Sequence, residues 1–214
     1  MNKLNKKKQI VKFSKLFSST GFSPIRSGNI SVRHNEKNLK GFLISPSGKR
    51  NSDLKVNDIV FVSLEGEIEK NKKPSSEWKF HLDIYKFTKV NAIVHAHSKF
   101  SVICSCLYKR IPPFHYMVGI TGADEIKVAK YSLFGTEELS KNINLALRNS
   151  LSCLISNHGQ IATGENLSNA YELAEEVELL CEYYYYCKLK KNPKSINKLE
   201  MKKVLNKIIG YKEK

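Results

Sequence analysis

The sequence of 214 residues lacks any apolar run of about 18 residues, the length that a membrane-spanning helix needs. Its lysine-rich N-terminus is not followed by an apolar stretch, so we expect no secretory signal peptide and a cytoplasmic protein. Cysteine is sparse and odd in number, and no Cys-x-x-Cys pair occurs among Cys104, Cys106, Cys153, Cys181 and Cys187. This pattern favours free thiols over a disulfide framework or a zinc site built from thiolates.

Arginine is scarce as well, with five residues in a chain whose formal net charge is +16. Arginine is the side chain best suited to bidentate recognition of bases and phosphates, and no nucleic-acid-binding motif accompanies the charge. Residues 188–214 contain ten lysines and two glutamates, which is half of the excess. We therefore interpret the charge as a solvated surface that attracts small anions, and we expect neither nucleic acid nor a membrane as a partner.

The length and the ordinary apolar content, 41%, predict a single domain over residues 1–214, with a lysine-rich tail from about residue 188. Apolar residues at helical spacing predict five helices, and apolar or alternating runs predict five strands. The helices are expected at 4–18, from a start at 74–77, at 98–107, at 136–148 and from about 170, and the strands near 29–33, 41–45, 58–64, 91–97 and 151–155.

The most informative segment is residues 91–97, an apolar strand that ends in two histidines. Side chains alternate along a strand, so His95 and His97 point to one face, about 6–7 Å apart at their Cα atoms. His158, directly after a second apolar strand, is a third candidate ligand. Three ligands and an open position describe a catalytic zinc site, but a strand histidine is often only hydrogen-bonded. The spacing alone leaves both interpretations open.

Residues 74–77, Pro-Ser-Ser-Glu, have the composition of a helix start. The free N–H groups of a helix start attract anions, and the hydroxyls of Ser75 and Ser76 add donors. The same two serines are also compatible with simple capping. Glu77 lies on a different element from the histidines, where it can exchange a proton near a metal. His81 falls on the apolar face of this helix and is interpreted as a packing residue.

Seven short motifs occur in one order over about residues 10–190, and they resemble the class II aldolase/adducin family. They are GNISVR (28–33), SPSG (45–48), KPSSEW (73–78), HAH (95–97), IPPFHYM (111–117), FGT (134–136) and NHG (157–159). The resemblance implies an α/β fold, a three-layer α/β/α sandwich with a central, largely antiparallel sheet. It also implies a homotetramer with active sites between subunits.

The resemblance further implies a metal site, two proton-transfer groups and a phosphate cradle. His95, His97 and His158 match the family's zinc ligands, with one Zn²⁺ per chain. Glu77 matches the acid/base carboxylate, and Tyr116 matches the tyrosine that protonates the aldehyde oxygen. The residues that match the substrate and phosphate contacts are Asn29, Ser47, Gly48, Ser75, Ser76 and, in the tail, Tyr211.

The reaction implied is the zinc-dependent cleavage of a ketose 1-phosphate similar to fuculose 1-phosphate, which yields dihydroxyacetone phosphate and an aldehyde. The bound metal would stabilise the enediolate that this cleavage leaves. The same family also contains other activities, which remain alternatives: a methylthioribulose-1-phosphate dehydratase, a ribulose-5-phosphate 4-epimerase-like enzyme, and an adducin-like binding module. Residues 125–131 carry lysines where the aldolase pattern has prolines, so the aldehyde side of the substrate is left open.

Overall fold

The computed structural model describes residues 1–23, 25–36 and 39–212, apart from the side chains of Glu36, Tyr211 and Lys212. Six α-helices lie within these residues: α1 (Lys3–Ser19), α2 (Trp78–Phe87), α3 (Lys99–Leu107), α4 (Glu137–Ala146), α5 (Leu167–Lys190) and α6 (Lys198–Lys212). Eight strands lie there as well: β1 (Asn29–Glu36), β2 (Leu39–Ile44), β3 (Val60–Ser63), β4 (Ala92–Ala96), β5 (Arg110–Ile111), β6 (Ile126–Ala129), β7 (Ser152–Ile155) and β8 (Gly159–Gly164).

The strands form one sheet in the order β3-β2-β1-β4-β8-β7-β6-β5. Among the strand pairs of the described chain, β6 and β7 run parallel and the others run antiparallel. The predicted α/β class with a largely antiparallel sheet is confirmed. Within the same residues, no helix is both long and apolar enough to cross a membrane.

Two apolar cores lie on opposite faces of the sheet, because successive side chains of a buried strand point to opposite sides. In β4, Val94 and Ala96 join the core beneath α1, α3 and α5, whereas Ile93 joins the core beneath α2 and α4. Helix α5 presents a stripe of buried residues at helical spacing to β4 and β8: Ala170, Ala174, Val177 and Cys181. The predicted three-layer sandwich is therefore the arrangement found.

Three parts of the chain differ from the expectation drawn from its sequence. Residues 159–164 form strand β8 and residues 126–129 form strand β6, and no strand was predicted at either place. The lysine-rich region from about residue 188 also includes an ordered helix. In α6 the side chain of Met201 is fully buried, and Val204 and Ile208 lie against Gly119, where an added Cβ would come within 3.1 Å of either side chain.

Candidate metal centre and anion pocket

The three predicted metal-ligating histidines come together where β4 meets β8. His95 lies in β4, His97 directly follows that strand, and His158 lies in the turn between β7 and β8. The Nε2 atoms of His95 and His97 are 3.0 Å apart, and the ring of His158 lies 4.7–4.9 Å from the other two rings. A Cβ on Gly159 would lie 2.4 Å from the carbonyl oxygen of Ala96, so the turn approaches β4 this closely because residue 159 is glycine.

Glu77 enters this group from the opposite side of the cleft. The helix begins at Trp78, so Glu77 is the N-cap residue of α2, and the two serines lie in the turn before it rather than in the helix. Its carboxylate is buried, with Oε2 3.2 Å from His95 Nε2 and Oε1 3.1 Å from His158 Nε2. One ligand atom from each of the four residues lies within 4.8 Å of the others.

The hydrogen bonds around the histidine and carboxylate group leave lone pairs of the ligand atoms directed toward one common position. His95 Nδ1 lies 2.8 Å from the carbonyl oxygen of Gln160, which can only accept, so in the neutral ring Nε2 carries the lone pair. Glu77 Oε1 is buried and has no hydrogen-bond partner among the described residues. Ligands about 2.0–2.1 Å from a tetrahedral ion lie roughly 3.3–3.4 Å from one another, close to the separations found here. The donor set therefore fits a metal cation.

The electrostatics of the group favour the protonation states of metal ligands at Glu77 and His97, whereas the carboxylate draws His95 toward its protonated form. Burial raises the pKa of Glu77, but His95 and His158 outweigh it and hold this pKa well below its usual range. Burial and the neighbouring His95 and His158 lower the pKa of His97 to about 3. Burial also lowers the pKa of His95, but the Glu77 carboxylate outweighs it and raises this pKa. The result is an anionic carboxylate beside a neutral His97, with His95 drawn toward a positive charge.

A cavity of about 420 Å³ opens beside the histidines, and all five predicted cradle residues line it: Asn29, Ser47, Gly48, Ser75 and Ser76. Two loops form its far wall, and backbone hydrogen bonds join them. Ser47 N donates to Lys73 O at 3.2 Å, and Ser75 N donates to Ser45 O at 3.0 Å. Glu77, His97 and His158 line the same cavity, so the hydroxyl-rich wall and the metal-ligating group share one space.

Asn29 makes contacts that the sequence did not indicate. Its side-chain Nδ2 donates to Glu77 Oε2 at 2.9 Å, and its Oδ1 lies 2.5 Å from Nε2 of the buried His81. Arg26, Tyr131 and Phe134 also line the cavity and were absent from the predicted site. Their exposed positions on connecting segments give no periodic signal in the sequence, although an arginine two residues before Gly28 is an available clue.

Of the two predicted tyrosines, Tyr116 is not brought to this cavity within one chain, and the placement of the Tyr211 side chain lies outside the described residues. Tyr116 begins a 3-10 helix (Tyr116–Thr121), is half exposed, and is not among the residues that line the cavity. The backbone of Tyr211 belongs to α6, and its side chain lies outside the described part of the structure. Their assigned roles therefore remain predictions.

Comparison with known proteins adds independent findings. Residues 8–185 match the family model described as Class II Aldolase and Adducin N-terminal domain. The chain is 43% identical over 195 residues to the 5-methylthioribulose-1-phosphate/5-deoxyribulose-1-phosphate aldolase of Rhodospirillum rubrum, covering 91% of this chain and 86% of that protein. It is 38% identical over 185 residues to the L-fuculose phosphate aldolase of Haemophilus influenzae, covering 86% and 84%.

A solved structure of an L-fuculose 1-phosphate aldolase superposes with a TM-score of 0.89 at 33% identity, covering 95% of each chain. The family model spans most of the domain, including all four residues of the histidine and carboxylate group. The ordered motifs, the fold and these likenesses agree. The chain belongs to the class II aldolase and adducin family.

Proposed function

We propose that this chain is a metal-dependent aldolase that cleaves a ketose 1-phosphate into dihydroxyacetone phosphate and an aldehyde, with one zinc ion per chain. The observation that carries the proposal is the single cavity shared by four converging metal-ligating groups and a wall of hydroxyl and amide donors. Aldolase chemistry, a carbon–carbon lyase reaction, is the activity of the named relatives. Our proposal goes beyond this shared chemistry by naming the class of substrate.

His95, His97 and His158 would hold the metal through their Nε2 atoms. When bound there, a divalent ion acts as a Lewis acid for the oxygens beside the bond that breaks. Three neutral imidazoles leave the charge of the ion intact, and the hydrogen bond from His95 Nδ1 to Gln160 fixes the orientation of that ring. Glu77 would approach the ion when no substrate is bound and turn to the substrate when one is.

Glu77 is proposed as the group that moves the proton at the carbon next to the ketone. Its carboxylate is buried, it is anionic at neutral pH, and it faces the cavity that would hold that carbon. The contact with Asn29 Nδ2 holds Oε2, while Oε1 lies 3.1 Å from His158 Nε2, where a metal ion would take over the histidine lone pair. A base held in place beside the reacting carbon is the arrangement that general base catalysis needs.

The phosphate is proposed to bind at the opposite end of the cavity, between the loop at 45–48 and the turn before α2. The side chains there are neutral donors, and Gly48 has a φ of +79° with no atom within 4 Å of an added Cβ, which leaves room for an anion. Arg26 lines the same cavity and adds positive charge. Contacts with a phosphate that lies away from the reacting bond supply binding energy that positions the substrate.

The aldehyde end of the substrate is proposed to be apolar. Tyr131 and Phe134 line the mouth of the cavity and are 63% and 62% exposed, so their rings are available to a substrate group. A methyl or methylthio group suits such rings better than a further hydroxyl does. This favours a 5-deoxyketose or 5-methylthioketose 1-phosphate, in line with the printed name of the Rhodospirillum rubrum relative. Fuculose 1-phosphate is the second candidate, because the chain is also 38% identical over 185 residues to a protein named as an L-fuculose phosphate aldolase.

The assembly is proposed to be a homotetramer in which a neighbouring chain completes each site. Tyr116 is half exposed and lies away from the cavity of its own chain, as expected for a residue that serves a neighbour. Exposed apolar side chains occur nearby on α5, including Leu179, Tyr183 and Tyr186. Burying them between subunits would remove apolar surface from water.

The proposed function is tested by incubating the purified protein with a panel of ketose 1-phosphates and measuring dihydroxyacetone phosphate. Release of dihydroxyacetone phosphate from a 5-deoxyketose 1-phosphate, faster than from fuculose 1-phosphate, is expected. A dehydratase would release water and keep all carbons together, and an epimerase would convert one pentulose phosphate to another. An adducin-like module would leave every substrate unchanged, and that result would reject the proposal.

A further inference from the structure

A chain of hydrogen-bonded side chains leads from Glu77 into the core between the sheet and α2. We call it the buried hydrogen-bond chain; its members are Asn29, His81, Ser31 and Tyr85. After the contact from Asn29 to Glu77, His81 Nε2 lies 2.5 Å from Asn29 Oδ1, and His81 Nδ1 lies 2.7 Å from Ser31 Oγ. Ser31 Oγ lies 2.8 Å from the hydroxyl of Tyr85. All four side chains are buried, and His81 and Ser31 are fully so.

The carboxylate at one end fixes the direction of every bond in this chain. An ionised carboxylate only accepts, so Asn29 presents its Nδ2 to Glu77 and its Oδ1 to His81. His81 must then carry its proton on Nε2, and its Nδ1 accepts from Ser31. Burial lowers the pKa of His81 to about 3, which agrees with a neutral ring that has one donor and one acceptor.

We propose that His81 is a positioning residue for the reaction: through Asn29 it fixes the Glu77 carboxylate at the cavity, beside the metal-ligating histidines. The inference rests on the proposed function of Glu77 as the proton-transferring group. Without the N–H of His81, Asn29 Oδ1 is a buried acceptor with no donor, and the amide is held only by its bond to Glu77. The Asn29 amide then shifts to satisfy this oxygen, and the carboxylate is no longer held in one place.

A structural contribution of His81 is also present and has to be separated from this one. The imidazole lies against the ring of Phe80, with centroids 4.6 Å apart and planes inclined by 21°, so any replacement disturbs packing. Packing loss lowers the stability of the folded protein, but it is not expected to lower kcat selectively while KM stays the same. Loss of a correctly placed base lowers kcat and leaves substrate affinity intact.

Three variants at one position separate the two contributions. In His81→Gln, the side-chain amide offers one donor and one acceptor with a reach similar to that of the imidazole, so it can still donate to Asn29. In His81→Asn, the shorter amide keeps a partner for Ser31 but cannot reach Asn29. In His81→Leu, both hydrogen bonds are lost. Thr163→Val is the matched control, because it removes one hydrogen bond, from the Thr163 hydroxyl to Leu151 O at 2.9 Å. Thr163 lies at the end of β8 that is farther from His158.

The measurements are kcat and KM for ketose 1-phosphate cleavage, metal content and the unfolding temperature. We expect His81→Leu and His81→Asn to lose roughly 10- to 100-fold in kcat, as a misplaced catalytic group does, with metal content near that of the wild type. KM should change less than kcat does, and any change reflects the place of Asn29 in the cavity wall. His81→Gln should keep kcat within about three-fold. Thr163→Val should lower the unfolding temperature and leave kcat unchanged. If His81→Leu does not fold, His81→Asn still tests the N–H to Asn29.

Equal kcat in the wild type, His81→Leu and His81→Asn would overturn the inference, and so would an equal loss in His81→Gln. The crystal structure of His81→Asn gives a readout that needs no activity. The Asn29 amide and the Glu77 carboxylate should be displaced there from their present positions, and an unchanged arrangement, with Asn29 Nδ2 about 2.9 Å from Glu77 Oε2, would overturn the inference. A wild-type protein that cleaves no ketose 1-phosphate would instead reject the proposed function, which keeps the two failures distinct.

Discussion

His81 and His95 are both fully buried on the same side of the sheet, but their nitrogen atoms meet opposite surroundings. In the buried hydrogen-bond chain, each nitrogen of His81 has one partner of the complementary kind. At the metal centre, His95 Nε2 faces a carboxylate oxygen and another imidazole nitrogen. A buried polar group that is satisfied needs nothing more, whereas converging acceptors need a cation. Burial alone therefore does not identify a histidine as a metal ligand, whereas acceptor atoms that converge without a donor between them do.

The largest effect should follow when the metal centre itself is broken. His95→Ala removes one of three imidazoles and exposes the Glu77 carboxylate to an unfilled space. We therefore expect the variant to lose its metal and its activity to fall below detection. Elemental analysis of the purified variant, together with the cleavage assay, checks this. His34→Ala, on β1 away from the cavity, is the control and should retain both. A metal-replete, active His95→Ala would remove this residue from the centre.

A smaller effect is expected when the metal ligands stay intact and the base is removed. Glu77→Gln keeps the size of the side chain but takes away its proton acceptor, and we expect a loss of about 10²- to 10⁴-fold in kcat with metal retained. Exchange of the dihydroxyacetone phosphate C–H proton with deuterated water should fall in parallel, because that partial reaction needs no aldehyde. Loss of the metal in this variant would make Glu77 a structural ligand. Intact exchange with abolished cleavage would transfer the base role elsewhere, and Tyr116 would be tested next.

An effect on substrate binding alone is expected at the far end of the cavity. Ser76 is exposed in the turn before α2, so Ser76→Asp places a negative charge beside the proposed phosphate site without disturbing the core. We expect KM for a ketose 1-phosphate to rise roughly 10- to 100-fold through charge repulsion, with metal content unchanged. Ser76→Asn is the uncharged control of the same shape. Equal KM values for the two variants would place the phosphate elsewhere.

The smallest expected effect is the pH dependence of stability that His81 contributes. Its pKa of about 3 in the folded protein lies below the ordinary value of 6.5, so between these values the unfolded chain binds a proton that the folded protein does not. Stability is therefore lost as the pH falls below 6.5. His81→Gln removes this titration, so its unfolding free energy should fall less steeply between pH 6 and 4, by at most about 1.4 kcal/mol per pH unit. Denaturant unfolding at several pH values measures the difference, and identical slopes would contradict a neutral, buried His81.

The sequence predicted helices α1 to α5 and the central strand well because their apolar residues recur at the spacing of each element. Strand β8 was missed because its residues 159–164 are buried on both faces and include Gly, Gln and Thr, so no alternation marks them. Strand β6 carries a lysine and pairs with only a two-residue strand on its outer side. In both cases the tertiary setting, rather than local preference, decides the conformation.

At the candidate site, His95, His97 and His158 lie together as the sequence predicted, because strand alternation and a histidine-glycine turn are local signals. The contact of Asn29 with His81 joins residues 52 positions apart, and no local pattern encodes it. His81 has the apolar-face spacing of a packing residue, and its two hydrogen bonds become visible only in the folded protein.

The central claim is that the converging acceptors of the histidine and carboxylate group hold a catalytic metal ion. The most direct test is to measure the metal content and the ketose 1-phosphate cleavage rate of one wild-type preparation before chelation, after exhaustive chelation, and after return of zinc. We expect about one zinc per chain at the start, loss of metal and activity together, and recovery of both when zinc is returned. Undiminished cleavage by metal-free protein would contradict the account.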